Sequence, residues 1–374
     1  MIFKIFKLLI FLNNLFISFI LSILNINFFL NKKSYKVILY YRVGRVGDCA
    51  VSIPSIKAIK DQFPKSKLIV FTSIKDKNSP SFLDFKNLLN YVDVFESYDH
   101  NKDNLLHVIR KLRSYKIDLW INSSQDLTNI YSEIRNILFA KICASKKIYG
   151  SKVNTIKFLA KYLRNINFIQ EKNRLLKNLK EIGIHYKPTN NQLLFFDKKN
   201  YLNLNNKITR INFDKNVLAI SPGANKKANI WNIENFINIA HYWINLDRNV
   251  ILLGSKADYN ITKKIEEIID SEKLKNFAGK LTISETSYLL SKSKVLVTND
   301  SGLMHIADLL NIFIFAIFSC RDLKSKWHPT NNNSKVYLKN DSKCTPFTSS
   351  CQNDKPCINE INYSEIITDL KKLN

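Results

Sequence analysis

The sequence predicts an α/β protein of two Rossmann-like domains, each a parallel sheet with helices on both faces. From Tyr35 onward, short runs rich in β-branched and aromatic residues alternate with longer amphipathic stretches, the pattern of repeated strand–helix–strand units. The alternation occurs twice, on either side of a polar segment, Lys187–Lys207, rich in Asn and Lys. The chain of 374 residues also exceeds the ~150 residues of an ordinary domain, so there is length for two cores.

Ahead of the first series lies an apolar run. Leu8–Leu30 is broken only by Asn13, Asn14, Ser18, Ser22, Asn25 and Asn27, with Lys4 and Lys7 before it and Lys32, Lys33 and Lys36 after. It is long enough to cross a bilayer, which takes ~20 residues. Four Asn side chains are costly in hydrocarbon and favour a helix lying in the interface with its amides toward the headgroups. The expectation for residues 1–34 is therefore a hydrophobic membrane-associating helix, peripheral or a single anchor. No small-x-small cleavage site follows, which argues against a secretory signal. If the helix spans, the greater basic charge after it keeps the main body cytoplasmic. The competing reading is a helix packed on the protein's own surface.

The first domain is expected over 35–190, with strands at Lys36–Arg42, Lys67–Thr72, Val92–Phe95, Asp118–Asn122 and Lys147–Gly150. Residues 191–213 form the linker. The second domain, 214–358, is expected to carry strands at Val217–Ser221, Val250–Leu253, Asn276–Ala278, Val295–Val297 and Ile312–Phe318, with helices over Glu234–Leu246, Asn260–Ile269 and Ser284–Ser291. The tail, 359–374, contains a helical stretch, Tyr363–Leu373, expected to pack back across the first domain. Ligands of open parallel sheets bind beyond the carboxyl ends of the strands, so two such domains facing each other are expected to enclose a cleft.

Charge and cysteines narrow the function. Lys and Arg number 57 against 31 Asp and Glu, a net charge of +26, which implies an anionic partner or a surplus of solvated lysines from an AT-rich genome. No aromatic-interleaved basic stripe and no zinc-finger spacing occurs, so no nucleic-acid partner is expected. Cys344, Cys351 and Cys357 are spaced C-x6-C-x5-C, without the CxxC knuckles of a structural zinc site. With Cys49, Cys143 and Cys320 they are expected to be reduced, partly buried thiols, and no metal site is expected.

Four turns at strand ends carry the chemistry. After the first strand, Gly44 and Gly47 flank Arg45 and lead into Asp48, an acceptor-side loop in which a carboxylate at a helix start either takes a proton from an attacking hydroxyl or caps the helix. In Ser221-Pro222-Gly223-Ala224-Asn225-Lys226-Lys227, small residues let a ligand approach and Lys226 and Lys227 supply cations for phosphate. In Leu253-Gly254-Ser255-Lys256-Ala257-Asp258, Asp258 is placed either to accept from ribose hydroxyls or to cap a helix. Asn299–His305 is the densest turn: Asp300, Ser301, Gly302 and His305 offer a carboxylate, a hydroxyl, close backbone approach and an imidazole at a helix N-terminus, where anions bind. A cap followed by a core histidine is the plainer alternative.

Further pieces complete a pattern: Val46-Gly47-Asp48 with Pro54, Ser221–Ala224 with Trp231, Leu253-Gly254, Phe277-Ala278-Gly279, Asn299–His305 with Ala307, then Trp327, Pro329, Cys344, Pro346, Cys351 and Cys357. Over about residues 36–372 the chain resembles glycosyltransferase family 9, the heptosyltransferases of lipopolysaccharide core assembly. The resemblance implies a GT-B fold, with acceptor bound by the first domain and nucleotide-sugar donor by the second. It implies Asp48 as general base, the donor diphosphate on Asn225, Asp300, Ser301, Gly302 and His305, ribose on Asp258 and the nucleotide base on the Gly279–Leu281 backbone. The reaction is then an inverting transfer of a heptose or related sugar, from a donor expected to be ADP-linked, to an anionic lipid-linked glycan, without divalent metal or other cofactor. A monomer at the cytoplasmic face of a bacterial inner membrane is expected. Two positions depart from the family pattern: Asn229 stands where relatives place a Lys, a role that Lys227 or Lys226 must then fill, and Phe347 stands where many have a Cys. The alternative is a non-catalytic GT-B scaffold or glycan-binding protein at the membrane.

Overall fold

A computed structural model describes residues 34–74, 80–125, 130–143, 145–150, 168–186, 192–197, 201, 204, 208, 211, 213, 216–320, 325–339 and 356–373. The apolar segment 8–30, most of the expected linker, and Cys344 and Cys351 lie outside the described residues. Among the described residues no helix is long and apolar enough to cross a membrane. The chain forms two compact units, one from residues before 164 together with 172–191, the other from 164–171 and everything after 191.

In the first unit β1 (Val37–Tyr41), β2 (Lys67–Ile74), β3 (Val94–Asp99), β4 (Leu119–Asn122) and β5 (Lys147–Tyr149) make an all-parallel sheet in the order β3-β2-β1-β4-β5. Its helices include α1 (Val46–Ala50), α2 (Ile53–Gln62), α3 (Leu105–Ser114), α4 (Ile130–Ile142) and α5 (Glu171–Glu181). Central β1 reads as an apolar run because both of its faces are covered; Ile38 to Tyr41 are all buried. Tyr41 stacks on Phe71 at 5.3 Å between ring centroids, and Phe71 meets the edge of Trp120 at 6.0 Å. Strand β3 begins later than the sequence suggests, since Val92 closes a turn onto the Leu89 carbonyl.

In the second unit β6 (Leu218–Ser221), β7 (Val250–Leu252), β8 (Leu274–Asn276), β9 (Val295–Asn299), β10 (Phe313–Ile317) and β11 (Ser334–Tyr337) form a second parallel sheet, ordered β11-β10-β9-β6-β7-β8. Its helices are α6 (Ile233–Asn245), α7 (Tyr259–Ile269), α8 (Ile283–Lys292), α9 (Gly302–Leu310), α10 (Pro356–Asn359) and α11 (Tyr363–Lys371). Start signals are explicit: Asn232 caps α6 through Glu234 N–H, and Thr282 with Glu285 forms a capping box on α8. Strand β8 ends where Asn276–Ala278 was expected to begin, because Gly279, at φ +70°, donates its N–H to the Gly254 carbonyl and makes that segment a turn. Strand β11 was not expected at all.

Ile366 and Leu370 of the C-terminal helix α11 belong to the core of the second unit with Trp231, Phe236 and Trp243. The amphipathic face that made it a helix in the sequence found its apolar partner locally. A buried ion pair, Glu171 to Lys326 at 3.3 Å, with Glu171 N–H on the Lys326 carbonyl at 2.8 Å, holds the first residue of α5 within the second unit.

Both sheets reverse direction once. In the first, the chain runs outward from β1 through β2 and β3 and resumes on the other side of β1 with β4; in the second, it runs from β6 through β7 and β8 and resumes beside β6 with β9. The loops leaving the two adjacent strands then diverge, opening a crevice at the carboxyl ends. The candidate residues gather at these two points.

Candidate active site

In the first unit the loop after β1 turns sharply into α1, and Asp48 is the third residue of that helix. Gly44 is required there: a Cβ on it would lie 2.2 Å from the Asp48 Cβ. Asp48 Oδ2 accepts the Arg45 N–H at 3.1 Å, so the carboxylate does cap the helix. It does more than cap. Its Oδ1 accepts from Arg42 Nη2 at 3.4 Å and from the Gln125 side-chain amide, which arrives from the loop after β4. Arg42 is 1% exposed and also donates through Nη1 to the Ser123 carbonyl at 2.9 Å. The Asp48 side chain keeps 16% of its surface open. Gly47 lies within α1. Next to it, burial and then the Asp48 charge push the Cys49 thiol well above its ordinary range, which keeps it a protonated core residue and no nucleophile.

In the second unit Ser221 ends β6, buried, and the loop beyond it carries Gly223 and the exposed Asn225, Lys226 and Lys227. Among the described residues neither lysine forms an ion pair. Asp258 lies against Gly223, where a Cβ would come within 2.0 Å of its Oδ1, and its Oδ2 accepts the Ser255 N–H and Oγ, each at 2.7 Å. Asp258 therefore caps its turn while its carboxylate reaches the β6 loop. Gly279 bonds Gly254, and half-buried Leu281 precedes the α8 cap, so the loops after β6, β7 and β8 adjoin.

The crevice between β6 and β9 holds the rest. Asn299, fully buried, donates to the Pro222 carbonyl at 2.7 Å and accepts the Trp231 N–H at 3.3 Å, tying the two loops together. Ser301 occupies the N-cap of α9, yet its hydroxyl does not close on the helix; it meets Thr298 Oγ1 at 3.0 Å. Ser301 thus holds the N-cap by position, without a side-chain cap bond. Gly302 opens α9, and His305, one turn on, is buried with its ring edge-on to Trp327 at 5.9 Å. Asn229, 4% exposed, donates to Asp300 Oδ2 at 3.2 Å and accepts from Ser319 Oγ at 2.6 Å.

Reading the sequence missed Arg42, Gln125 and Ser319 as site residues. Arg42 looked like the end of a strand, and Gln125 and Ser319 carry no motif. The cysteine expectation is corrected as well: Cys49, Cys143 and Cys357 are free, but Cys320 is disulfide-bonded. The odd trio at the C-terminus left out Cys320, which the end of β10 brings to Cys357, its N–H on the Cys357 sulfur at 3.3 Å. Among the described residues no group of His, Cys, Asp and Glu is arranged to hold a metal.

Comparison with known proteins gives the site its context. The profile of glycosyltransferase family 9 (heptosyltransferase) matches residues 106–356. The chain belongs to this family. It is 24% identical over 339 residues to lipooligosaccharide heptosyltransferase 2 of Campylobacter jejuni serotype O:6, covering 88% of this chain and 96% of that one. Its fold matches that of a family 9 glycosyltransferase from Veillonella parvula, with a TM-score of 0.72, 16% identity and coverage of 91% and 98%. It likewise matches the E. coli ADP-heptose LPS heptosyltransferase II, with a TM-score of 0.64, 17% identity and the same coverage. The two parallel-sheet units are thus those of GT-B heptosyltransferase structures, and this family 9 protein is a glycosyltransferase of lipopolysaccharide assembly.

Proposed function

We propose that this protein transfers heptose from ADP-heptose to an anionic lipooligosaccharide core acceptor, with inversion and without a divalent metal. The observation that carries the reading is Asp48, a carboxylate fixed at the reversal point of the first sheet in a family 9 chain and still open on one edge. Asp48 takes the proton of the acceptor hydroxyl, the new C–O bond forms at the anomeric carbon, and the bond to the diphosphate breaks with its electron pair leaving on phosphate. The N-terminus of α9, with Ser301, Gly302 and His305, together with Asn225, Asp300 and Lys227, receives the diphosphate; Asp258 takes the ribose and the Gly279–Leu281 backbone the adenine. Helix-end amides and a cation aimed at developing charge can do the work of a metal.

The relatives support the substrates, since they are heptosyltransferases acting on lipooligosaccharide or lipopolysaccharide, one with ADP-heptose in its name. The net charge of +26 suits an anionic acceptor at a membrane surface. The protein acts as a monomer on the cytoplasmic side, held to the inner membrane through its N-terminal segment. Asp48→Ala is expected to reduce ADP release from ADP-heptose in the presence of lipid-core acceptor, in EDTA-treated buffer, to a residual rate followed only over long incubations, while ADP binding by calorimetry is unchanged. Full turnover in that variant refutes the base assignment.

A second reading rests on Asn229, whose neutral amide is paired to Asp300 and Ser319 at the position where the family resemblance implies a lysine. That favours a non-catalytic scaffold. Calorimetric titration with ADP- and UDP-sugars separates the two, since a scaffold binds none of them.

A further inference from the structure

We propose that Arg42 is a positioning residue for the transfer, acting through Asp48, with Gln125 as the second hold on the same carboxylate. This rests on the reading of Asp48 as the base. A helix cap requires only the Arg45 N–H, which Asp48 Oδ2 already accepts at 3.1 Å. The contacts on Oδ1 are surplus to that need. One comes from a fully buried guanidinium and the other from a residue 77 positions away.

Burying a guanidinium is costly unless it is paired and hydrogen-bonded, and here both terminal nitrogens, Nη1 and Nη2, are bonded and the backbone of Arg42 is fixed as well. The Arg42 N–H is held by the Phe71 carbonyl at the end of β2, and its Nη1 by the Ser123 carbonyl beyond β4. Nη2 is thereby aimed back across the reversal point at Asp48. The planar fork of arginine suits this double duty, which the single ammonium of lysine reproduces only in part. Gly44 leaves the space that the carboxylate needs. The carboxylate is thus gripped from the loops on both sides of the crevice, and its orientation does not depend on bound substrate. During transfer Arg42 keeps its proton and exchanges nothing; the acceptor proton passes to Asp48 alone.

The test is a double-mutant cycle read as ADP release from ADP-heptose with lipid-core acceptor. Arg42→Gln is expected to lower kcat about 10²-fold, the scale of a misplaced catalytic group, with the KM for ADP-heptose unchanged. In an Asp48→Ala background, where residual transfer is followed over long incubations, the same substitution is expected to cost nothing further. Arg42→Lys falls between wild type and Arg42→Gln, and Gln125→Leu loses less than Arg42→Gln. An equal loss in both backgrounds, or a loss confined to KM, overturns the inference and makes Arg42 a structural residue. Full activity in Asp48→Ala itself instead overturns the base assignment on which it rests. If Arg42→Gln does not fold, the cycle is run with Arg42→Lys.

Discussion

At the crevice between β1 and β4 a guanidinium is buried beneath the carboxylate it holds, whereas at the crevice between β6 and β9 the buried partner of Asp300 is a neutral amide. There the nearby ammonium groups, Lys226 and Lys227, stand exposed on the rim. The topology of the two crevices is the same, and the treatment of charge is opposite. A group that keeps one orientation through every turnover, the role proposed for Asp48, gains from a buried counter-charge that is itself held by hydrogen bonds. If the second crevice grips and releases a diphosphate, as proposed, it is better served by cations that water can reclaim, since screening weakens their hold.

The largest expected effect asks whether each crevice stands on its own core. Trp231, 1% exposed, donates Nε1 to the Ile361 carbonyl at 3.0 Å and its backbone N–H to Asn299, directly beneath the β6–β9 crevice. Trp120, fully buried, fills the first sheet's core. Trp231→Ala and Trp120→Ala are each expected to cost about 3–5 kcal/mol in thermal denaturation. Only Trp231→Ala should also weaken ADP binding by calorimetry. A comparable loss of ADP affinity in Trp120→Ala breaks the comparison.

Next in size is the exposed cation. If Lys227 receives the leaving diphosphate, Lys227→Ala should slow turnover about 10- to 100-fold, the worth of one hydrogen bond to a charged group, and Lys226→Ala should have little effect. Asn229→Lys in the Lys227→Ala background is expected to restore part of the activity, by placing an ammonium beside Asp300. Identical kinetics for wild type and both lysine variants would remove the rim cations from the mechanism.

The architecture was legible because hydrophobic period and length agree in a parallel α/β fold. Among the described residues, ten of the eleven strands coincide with apolar runs or lie within two residues of one. Strand β11, Ser334-Lys335-Val336-Tyr337, escaped because an edge strand with a single buried residue, Tyr337, has no apolar run to show. The backbone parts of the site were legible for a different reason. Gly44, Gly223 and Gly279 are demanded by local geometry, and turns at strand ends announce themselves in sequence. What escaped is pairwise and distant: Gln125 meets Asp48 across 77 positions and Ser319 meets Asn229 across 90. Single-sequence periodicity carries no information about such pairs. The same blindness hid the contact between Cys320 and Cys357, 37 positions apart.

The smallest effect lies away from both crevices, in one carboxylate of each unit that ties neighbouring elements of that unit together by charge. Burial alone would raise the Asp369 carboxyl of α11, but hydrogen bonds from Lys335, Lys372 and Tyr337 outweigh it and hold the group well below the usual carboxylate range. In the first unit burial likewise opposes, and Lys146 with the Val37 and Lys36 N–H groups prevails, so Asp118 is also lowered. A carboxylate whose folded pKa lies below its unfolded value of about 3.9 contributes stability that is fully present above that value and is lost as pH falls through the folded pKa. Between neutral pH and about pH 5 neither group changes charge, so neither Asp369→Asn nor Asp118→Asn should alter the pH dependence of stability there. Below about pH 4 the wild type should lose stability on further acidification more steeply than either variant. The flattening should be greater for Asp369→Asn, whose wild-type shift is the larger. Denaturant titrations from pH 6 to pH 3 measure this, and an acid limb as steep in Asp369→Asn as in wild type means that the Lys335, Tyr337 and Lys372 contacts do not hold α11 to its sheet.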